Sequence, residues 1–373
     1  MEIIDNNDID QKLNIEYNRY ETTNDIINNV YKKYGYNDKI KYEFKNIFER
    51  WLLNSSNLCI KNTEKNKDFV YFDGLIDDFN HEINQKLVSE ILEKNIVQNK
   101  FRAEEILLFI IKRVKKYFDD IHQNNKNKNK ENIKITQKNN LVIITYKLFS
   151  KKINLIRYQN LLKKGTLEDI MVAALRYASI ISSSQHWSMP TEVYKMYVEK
   201  YGVNIEGFAS PFNSQLLLLG LDYKFCSLFK DTDEIFGSFG SFFSANFSAE
   251  KDAVIAVNPP YVLDIINNTA DKCINECKKT KENKNRIKFF IIFSAWKDTH
   301  AYEELSKSEF LRYTVELPPE KHYYIDANDV DDNGVIKKIP ARFTTVLFIL
   351  SQGYDDNMND YNNILTNMLI FKS

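Results

Sequence analysis

The sequence predicts an α/β layer fold with a largely parallel sheet, preceded by a helical N-terminal part. Apolar residues keep helical spacing up to about Asp120. After Pro190, short β-branched and aromatic runs alternate with helical or loop stretches. That alternation is the pattern of strands joined by crossover helices. A chain of 373 residues also has ample material for a core in one large or two moderate domains. The break is expected near Ser182, giving a helical domain over 1–182 and an α/β domain over 183–373.

Each element has its own warrant. In Ala103–Phe118 the residues Ile106, Ile110, Val114 and Phe118 recur every fourth position, with Lys112, Lys115 and Lys116 between them. That spacing makes one face of an amphipathic helix. The polar run Gln123–Asn132 reads as a solvated linker. Ile133–Thr136 and Leu141–Phe149 flank Gln137–Asn140 and read as a hairpin. Leu161–Ser182 returns to helical spacing. Pro190 suits a helix start, Val193, Tyr197 and Tyr201 share a face, and Gly202 is placed to stop that helix. Strands are expected at Val203–Phe208, Ala253–Val257, Ile287–Phe293, Tyr313–Leu317 and Thr344–Leu350.

Composition removes several function classes. Phe (25) and Tyr (22) outnumber Gly (10) and Pro (7), which excludes a collagen-like or wholly disordered chain. Apolar runs such as Phe289–Phe293 are too short to span a bilayer, so no membrane partner is expected. Four cysteines, Cys59, Cys226, Cys273 and Cys277, in a chain of this length argue against a disulfide framework and favour a reducing, intracellular setting. Lys+Arg (51) balance Asp+Glu (51), so nucleic-acid binding must come from local patches. Heavy use of Asn, Lys and Ile reflects coding bias, which discounts the basic run Lys278–Lys288. There is no P-loop, GxSxG or HExxH. Asp329-Val-Asp331-Asp-Asn333-Gly334 opens like a calcium loop, but Pro340 stands where the closing Glu belongs, so a polar turn is expected. Cys273 and Cys277 read as ordinary thiols, and no metal is expected. Arg50, Arg102 and Arg113 are read as surface or salt-bridged.

The chemistry-bearing segment is Asn258-Pro259-Pro260-Tyr261, directly after the apolar run Ala253–Val257. A strand ending there puts the turn at the carboxyl edge of a parallel sheet, where open α/β folds bind ligands. The segment suits methylation of an exocyclic adenine amine, whose lone pair is delocalised into the ring. Two fixed acceptors on the N6 hydrogens favour a pyramidal nitrogen with its lone pair aimed outward. An Asn oxygen and the next carbonyl supply them, and the prolines preset the backbone and offer no competing N–H. An aromatic ring next in sequence can stack on the base.

The residues from Trp187 onward resemble the methyltransferase module of phosphorylated-CTD-interacting-factor proteins, which N6-methylate a cap-adjacent 2′-O-methyladenosine in mRNA. The resemblance rests on ordered blocks: Gly202–Asn213, Phe225–Gly240, Val257–Tyr261, Phe289–Trp296, Ser308–Pro318, His322 and Arg342–Leu350. It implies a Rossmann-like class I methyltransferase module, S-adenosylmethionine as cofactor and the capped 5′ end of mRNA as partner. It further implies that Asn258, Pro259, Pro260 and Tyr261 form the adenine pocket. Phe208, Ala209, Ser210, Pro211 and Asn213, with Asp233, Phe236 and Gly237, would lie around the donor. Trp296, Glu316, Pro318 and His322 would border the substrate. The family usually has Phe at the position of Tyr261, and Leu263 and Ser294-Ala295 also depart from its pattern. Trp51 alone cannot make a paired-Trp WW module, so no binding to polymerase tails through one is expected. A DNA adenine-N6 methyltransferase and an inactive RNA-binding relative stay open as alternatives.

Overall fold

The computed structural model describes residues 6–34, 37–63, 81–123, 132–179, 187–220, 222–355, 361 and 364. The run Gln123–Asn132, apart from its ends, and the expected break near Ser182 lie outside them. The chain forms two compact units. One comprises 1–135, 144–151 and 166–182; the other comprises 136–143, 152–165 and 183–373.

The first half of the chain contributes helices α1 (Asn6–Tyr34), α2 (Asp38–Thr63), α3 (His81–Glu93) and α4 (Lys100–Gln123). The strands β1 (Lys134–Lys138), β2 (Leu141–Tyr146) and β3 (Phe149–Asn154) follow as a three-stranded sheet in that order. Helices α5 (Leu155–Leu162) and α6 (Leu167–Ala178) come next. On α4, Ile106, Ile110 and Val114 are buried as expected, but the stripe continues through Tyr117 rather than Phe118, which is only half-buried. A step of four overshoots the 3.6-residue turn, so every few turns the buried face is regained by a step of three. The expected hairpin gains a third strand, because Lys147 takes a left-handed turn (φ 52°) before Phe149. The stretch Leu161–Ser182 expected to be helical holds the end of α5 and all of α6, and α5 begins six residues earlier than expected. Thr166 caps α6 through a reciprocal pair with Asp169 (3.2 and 2.9 Å), which starts that helix afresh.

The second half contains β4 (Trp187–Ser188), α7 (Thr191–Tyr201), β5 (Ile205–Ala209), α8 (Gln215–Leu218), β6 (Lys224–Ser227), α9 (Lys230–Asp233), β7 (Asp252–Val257), α10 (Leu263–Asn283), β8 (Arg286–Ser294), α11 (His300–Lys307), β9 (Leu311–Leu317), β10 (Tyr323–Val330), β11 (Ile336–Pro340) and β12 (Thr345–Gln352). Pro190 and Gly202 bracket α7 as expected, with Gly202 at φ 71°. The main sheet has the order β6-β5-β7-β8-β12-β9. Pairs β5–β6, β5–β7 and β7–β8 are parallel, and β12 runs against both its neighbours β8 and β9.

Successive side chains of a strand point to opposite faces, and both faces are covered here. Ile255, Val257, Phe289, Ile291 and Phe293 pack with Ile266, Ala270, Cys273 and Cys277 of α10 on one side. Val254, Ala256, Phe290 and Ile292 pack with Val193 and Tyr197 of α7 on the other. Both cysteines are core thiols, with burial pushing Cys277 up to about 12. A smaller sheet joins β11, β10 and β4. Its β10–β11 connection is the expected polar turn, with the Asp331 carboxylate accepting from the N–H groups of Asn333 and Val335 (both 2.8 Å).

Within this unit the segment around α5 is tied to that turn. Asn154 Nδ2 donates to the Gly334 carbonyl (2.9 Å), and a side chain at Gly334 would put its Cβ 2.0 Å from the Asn140 oxygen. Only glycine fits there.

Candidate active site

The order of the sheet reverses between β5 and β7, since β6 lies on one side of β5 and the next strand in sequence on the other. Ligands of open α/β sheets bind outside the carboxyl ends of the strands at such a point. Parallel pairing of β5 with β7 ends at Glu206–Ala256, whereas β5 stays beside β6 as far as Ala209–Ser227. The two strands therefore part at their carboxyl ends. The loop after β5 lies on one lip of that crevice and the Asn258–Tyr261 turn on the other. The carboxyl ends of β8 and β9 share this edge, because Ser294 and Leu317 both pair with Thr345.

In the turn, Pro259 is buried while Asn258, Pro260 and Tyr261 are half-buried, so the segment borders the core without being enclosed by it. Asn258 Nδ2 donates to the Trp187 carbonyl (3.1 Å). A carbonyl can only accept, so this bond fixes which end of the amide is nitrogen and leaves Oδ1 as the side chain's acceptor. The Pro260 carbonyl is engaged by the Val262 N–H (2.7 Å), which closes the turn.

Tyr261 is held by a hydroxyl chain. Its OH donates to Tyr324 OH (2.6 Å), which contacts Thr345 Oγ1 (2.9 Å), which contacts His322 Nε2 (2.8 Å). His322 Nδ1 lies 3.0 Å from the Pro318 carbonyl. Burial lowers the His322 pKa, with the Pro318 carbonyl opposing, and so favours a neutral ring. A neutral ring that donates from Nδ1 to Pro318 must accept at Nε2, so every proton in the chain points from Tyr261 toward His322. Burial raises both phenols, Tyr324 to about 12, and they stay protonated. His322 thus serves as the acceptor at the end of the hydroxyl chain that fixes Tyr261. The Tyr261 ring meets Trp296, Tyr324 and Phe343 edge-on at 6.3, 6.2 and 5.6 Å.

The loop after β5 is tightly self-bonded. The Asn213 side-chain oxygen accepts from Ser210 N (2.6 Å), and Ser210 Oγ accepts from Phe212 N and Asn213 N (both 3.2 Å). Ser210, Pro211 and Asn213 are buried and give the loop its shape, while Phe208 and Ala209 are half-buried. Beneath it, Glu206 Oε2 accepts from Ser214 Oγ (2.8 Å) and from Gln215 N (2.9 Å). Burial pushes Glu206 up to about 7, against these donors and Tyr194.

Asp233 and Phe236 are fully buried, and the Asp233 carboxylate accepts from Thr232 Oγ1 (2.9 Å). Gly237, at φ 103°, turns the chain back so that Gly240 O accepts from Ser227 N at the end of β6 (2.8 Å). This segment supports the sheet margin by backbone contacts. Trp296 is 37% exposed at the end of β8. Glu316 is exposed on β9 and paired with Lys297 (2.7 Å) and Tyr302 OH (3.1 Å), and Pro318 is exposed beyond it. Sequence reasoning missed Trp187, Tyr324, Thr345 and Glu206. Only Glu206 carried a local signal, an acid inside an apolar strand. Among the described residues no group of His, Cys, Asp and Glu is arranged to hold a metal, and no helix is long and apolar enough to cross a membrane.

The family model described as Phosphorylated CTD interacting factor 1 WW domain matches residues 120–327. The chain is similar to the mRNA (2'-O-methyladenosine-N(6)-)-methyltransferase of Mus musculus, at 30% identity over 140 residues, and to that of Homo sapiens, at 30% over 141 residues. Each match covers 37% of this chain and 18% of the relative, so it spans less than a fifth of the relatives' length.

Proposed function

The chain belongs to the phosphorylated CTD interacting factor 1 family, and on that premise we propose that it N6-methylates adenosine in RNA, at the nucleotide next to a capped 5′ end. The names of the similar proteins support the reaction and substrate class. The strand order, with β12 reversed in an otherwise parallel set, supports a Rossmann-like class I methyltransferase module. The observation that carries the reading is the Asn258 amide, fixed by the Trp187 carbonyl beside half-buried Tyr261 at the switch-point edge.

In this reading Asn258 Oδ1 and the Pro259 carbonyl accept the two N6 hydrogens and direct the nitrogen lone pair out of the ring plane. Tyr261 stacks on the base, with Trp296 beside it. Phe208 and Ala209 face the methyl donor, and the buried Ser210–Asn213 turn keeps the loop in shape. S-adenosylmethionine held there supplies an electrophilic methyl group on a sulfonium. The residues fit that group: the crevice where β5 and β7 part offers a half-buried aromatic ring and a rigid turn on one side and the amine-orienting amide on the other. The chain acts by orientation and fixed dipoles, with no covalent intermediate.

The test is incubation with labelled donor and capped RNA starting in adenosine, beside uncapped RNA and duplex DNA. With 2′-O-methyladenosine as the first nucleotide of the capped RNA, label in N6-methyl-2′-O-methyladenosine is expected, and a preference for duplex DNA overturns the cap assignment. Asn258→Ala is expected to lower kcat by about 10²–10³, the scale for losing one preorganised polar group; equal rates remove Asn258 from the mechanism. Tyr261→Phe keeps the stacking ring and cuts the hydroxyl chain, so kcat is expected to fall by less than about tenfold, the scale of one neutral hydrogen bond.

A further inference from the structure

Arg157, on α5, is 1% exposed and takes no part in the adenine pocket. Its Nη1 donates to the carbonyls of Pro211 (3.3 Å) and Ser214 (2.7 Å), which bracket the latter part of the turn after β5. One helical turn on, Asn160 Nδ2 donates to the carbonyls of Leu217 (3.1 Å) and Leu218 (3.2 Å). Residues three apart share a helix face. That face of α5 is therefore a splint along residues 211–218, and the Asn154 side chain sets its position by capping α5 (3.0 Å to Ile156 N).

The splint is unusual in one respect. Nε and Nη2 of Arg157 are buried without a hydrogen-bond partner among the described residues. Glu206 is near enough to act on the guanidinium electrostatically, yet its carboxylate is engaged by Ser214, Gln215 and Leu216 instead. Burial pushes Arg157 down to about 10, still cationic at neutral pH. Holding two carbonyls requires no charge, and a buried cation short of partners is costly to the fold. Such a group is expected where a site, rather than stability, demands it.

We propose that Arg157 is a positioning residue for the methyl donor: it holds the turn after β5 in its receptive form and sets a positive charge beneath it. The inference rests on the donor reading of Phe208–Asn213. It makes α5 part of the donor site, although α5 lies more than forty residues before that loop in sequence.

The test is calorimetric binding of S-adenosylhomocysteine to the full chain, which needs no turnover, together with steady-state kinetics. Arg157→Met is expected to raise the Kd at least tenfold and the KM for the donor in parallel. The KM for RNA and kcat at saturating donor should stay within about twofold. Arg157→Lys, which keeps the charge, should restore most of the affinity. Arg157→Gln, which keeps an N–H donor and removes the charge, should not. A folded Arg157→Met protein with the wild-type Kd overturns the proposal, as does a rise in the KM for RNA equal to that for the donor. If circular dichroism shows Arg157→Met unfolded, Arg157→Gln decides in its place by the same criterion. A wild-type chain that binds no S-adenosylhomocysteine at millimolar concentration removes the donor reading itself, which separates the two failures.

Discussion

Two buried carboxylates, one in each unit, are treated in opposite ways. In the helical unit Glu16 of α1 receives a bidentate pair from Arg176 of α6 (2.8 and 2.7 Å) and a third bond from Arg19 (2.6 Å). Burial raises its pKa, but the two arginines outweigh burial and hold it below the ordinary value. In the α/β unit Glu206 and Arg157 lie within electrostatic reach without bonding each other, and burial prevails, taking Glu206 up to about 7. A buried ion group with its bonds made acts as a staple between helices. A buried cation and acid kept apart impose a cost, and here both lie under the loop proposed to face the methyl donor.

Breaking the staple should have the largest effect. Arg176→Met leaves Glu16 with one cation where it had two and is expected to cost about 3–5 kcal/mol of unfolding free energy, read from urea midpoints. A cost below about 1 kcal/mol would mean that Glu16 and Arg19 suffice. The pH dependence sharpens the contrast. Glu206 ionises near pH 4.5 when unfolded and near 7 when folded, so its effect on stability worsens as pH rises between those values and is complete above them. Glu206→Gln should remove that decline, worth up to about 3 kcal/mol. Glu16 has the reverse sign: its contribution is present above pH 4.5 and lost as pH falls through its lowered folded value. Thermal melts of Glu16→Gln and Glu206→Gln should therefore flatten opposite limbs of the curve; loss of the same limb by both would erase the distinction. Arg157→Met should cost least, about 1–2 kcal/mol for two carbonyl bonds, because the unmade bonds go with it.

Much of the sheet was legible because parallel strands buried on both faces read as apolar runs. Ala253–Val257 and Ile287–Phe293 were found within a residue of their ends, and Pro190 and Gly202 marked α7. The placement of Asn258 followed from the strand before it. What supports Asn258 did not, since the Trp187 carbonyl is 71 residues away and a backbone acceptor has no sequence signature. His322 was visible as a residue, but its part in fixing Tyr261 depends on Thr345 and Tyr324 meeting at one point, which only the sheet register brings about. Arg157 was missed for a related reason: it lies before the stretch read as helical, which began at Leu161, and nothing local showed which carbonyls its side chain meets.

Gly334 shows how the α/β unit is put together. Its missing side chain admits the Asn140 carbonyl, and next to it Asn154 holds the start of α5. A fragment cut at Trp187 would keep the Asn-Pro-Pro-Tyr turn, yet it would lose the piece of chain that braces the opposite lip of the crevice. Gene fusion or exon shuffling could not move this unit as one uninterrupted block, because its brace is encoded upstream, on the far side of a stretch that folds with the other unit.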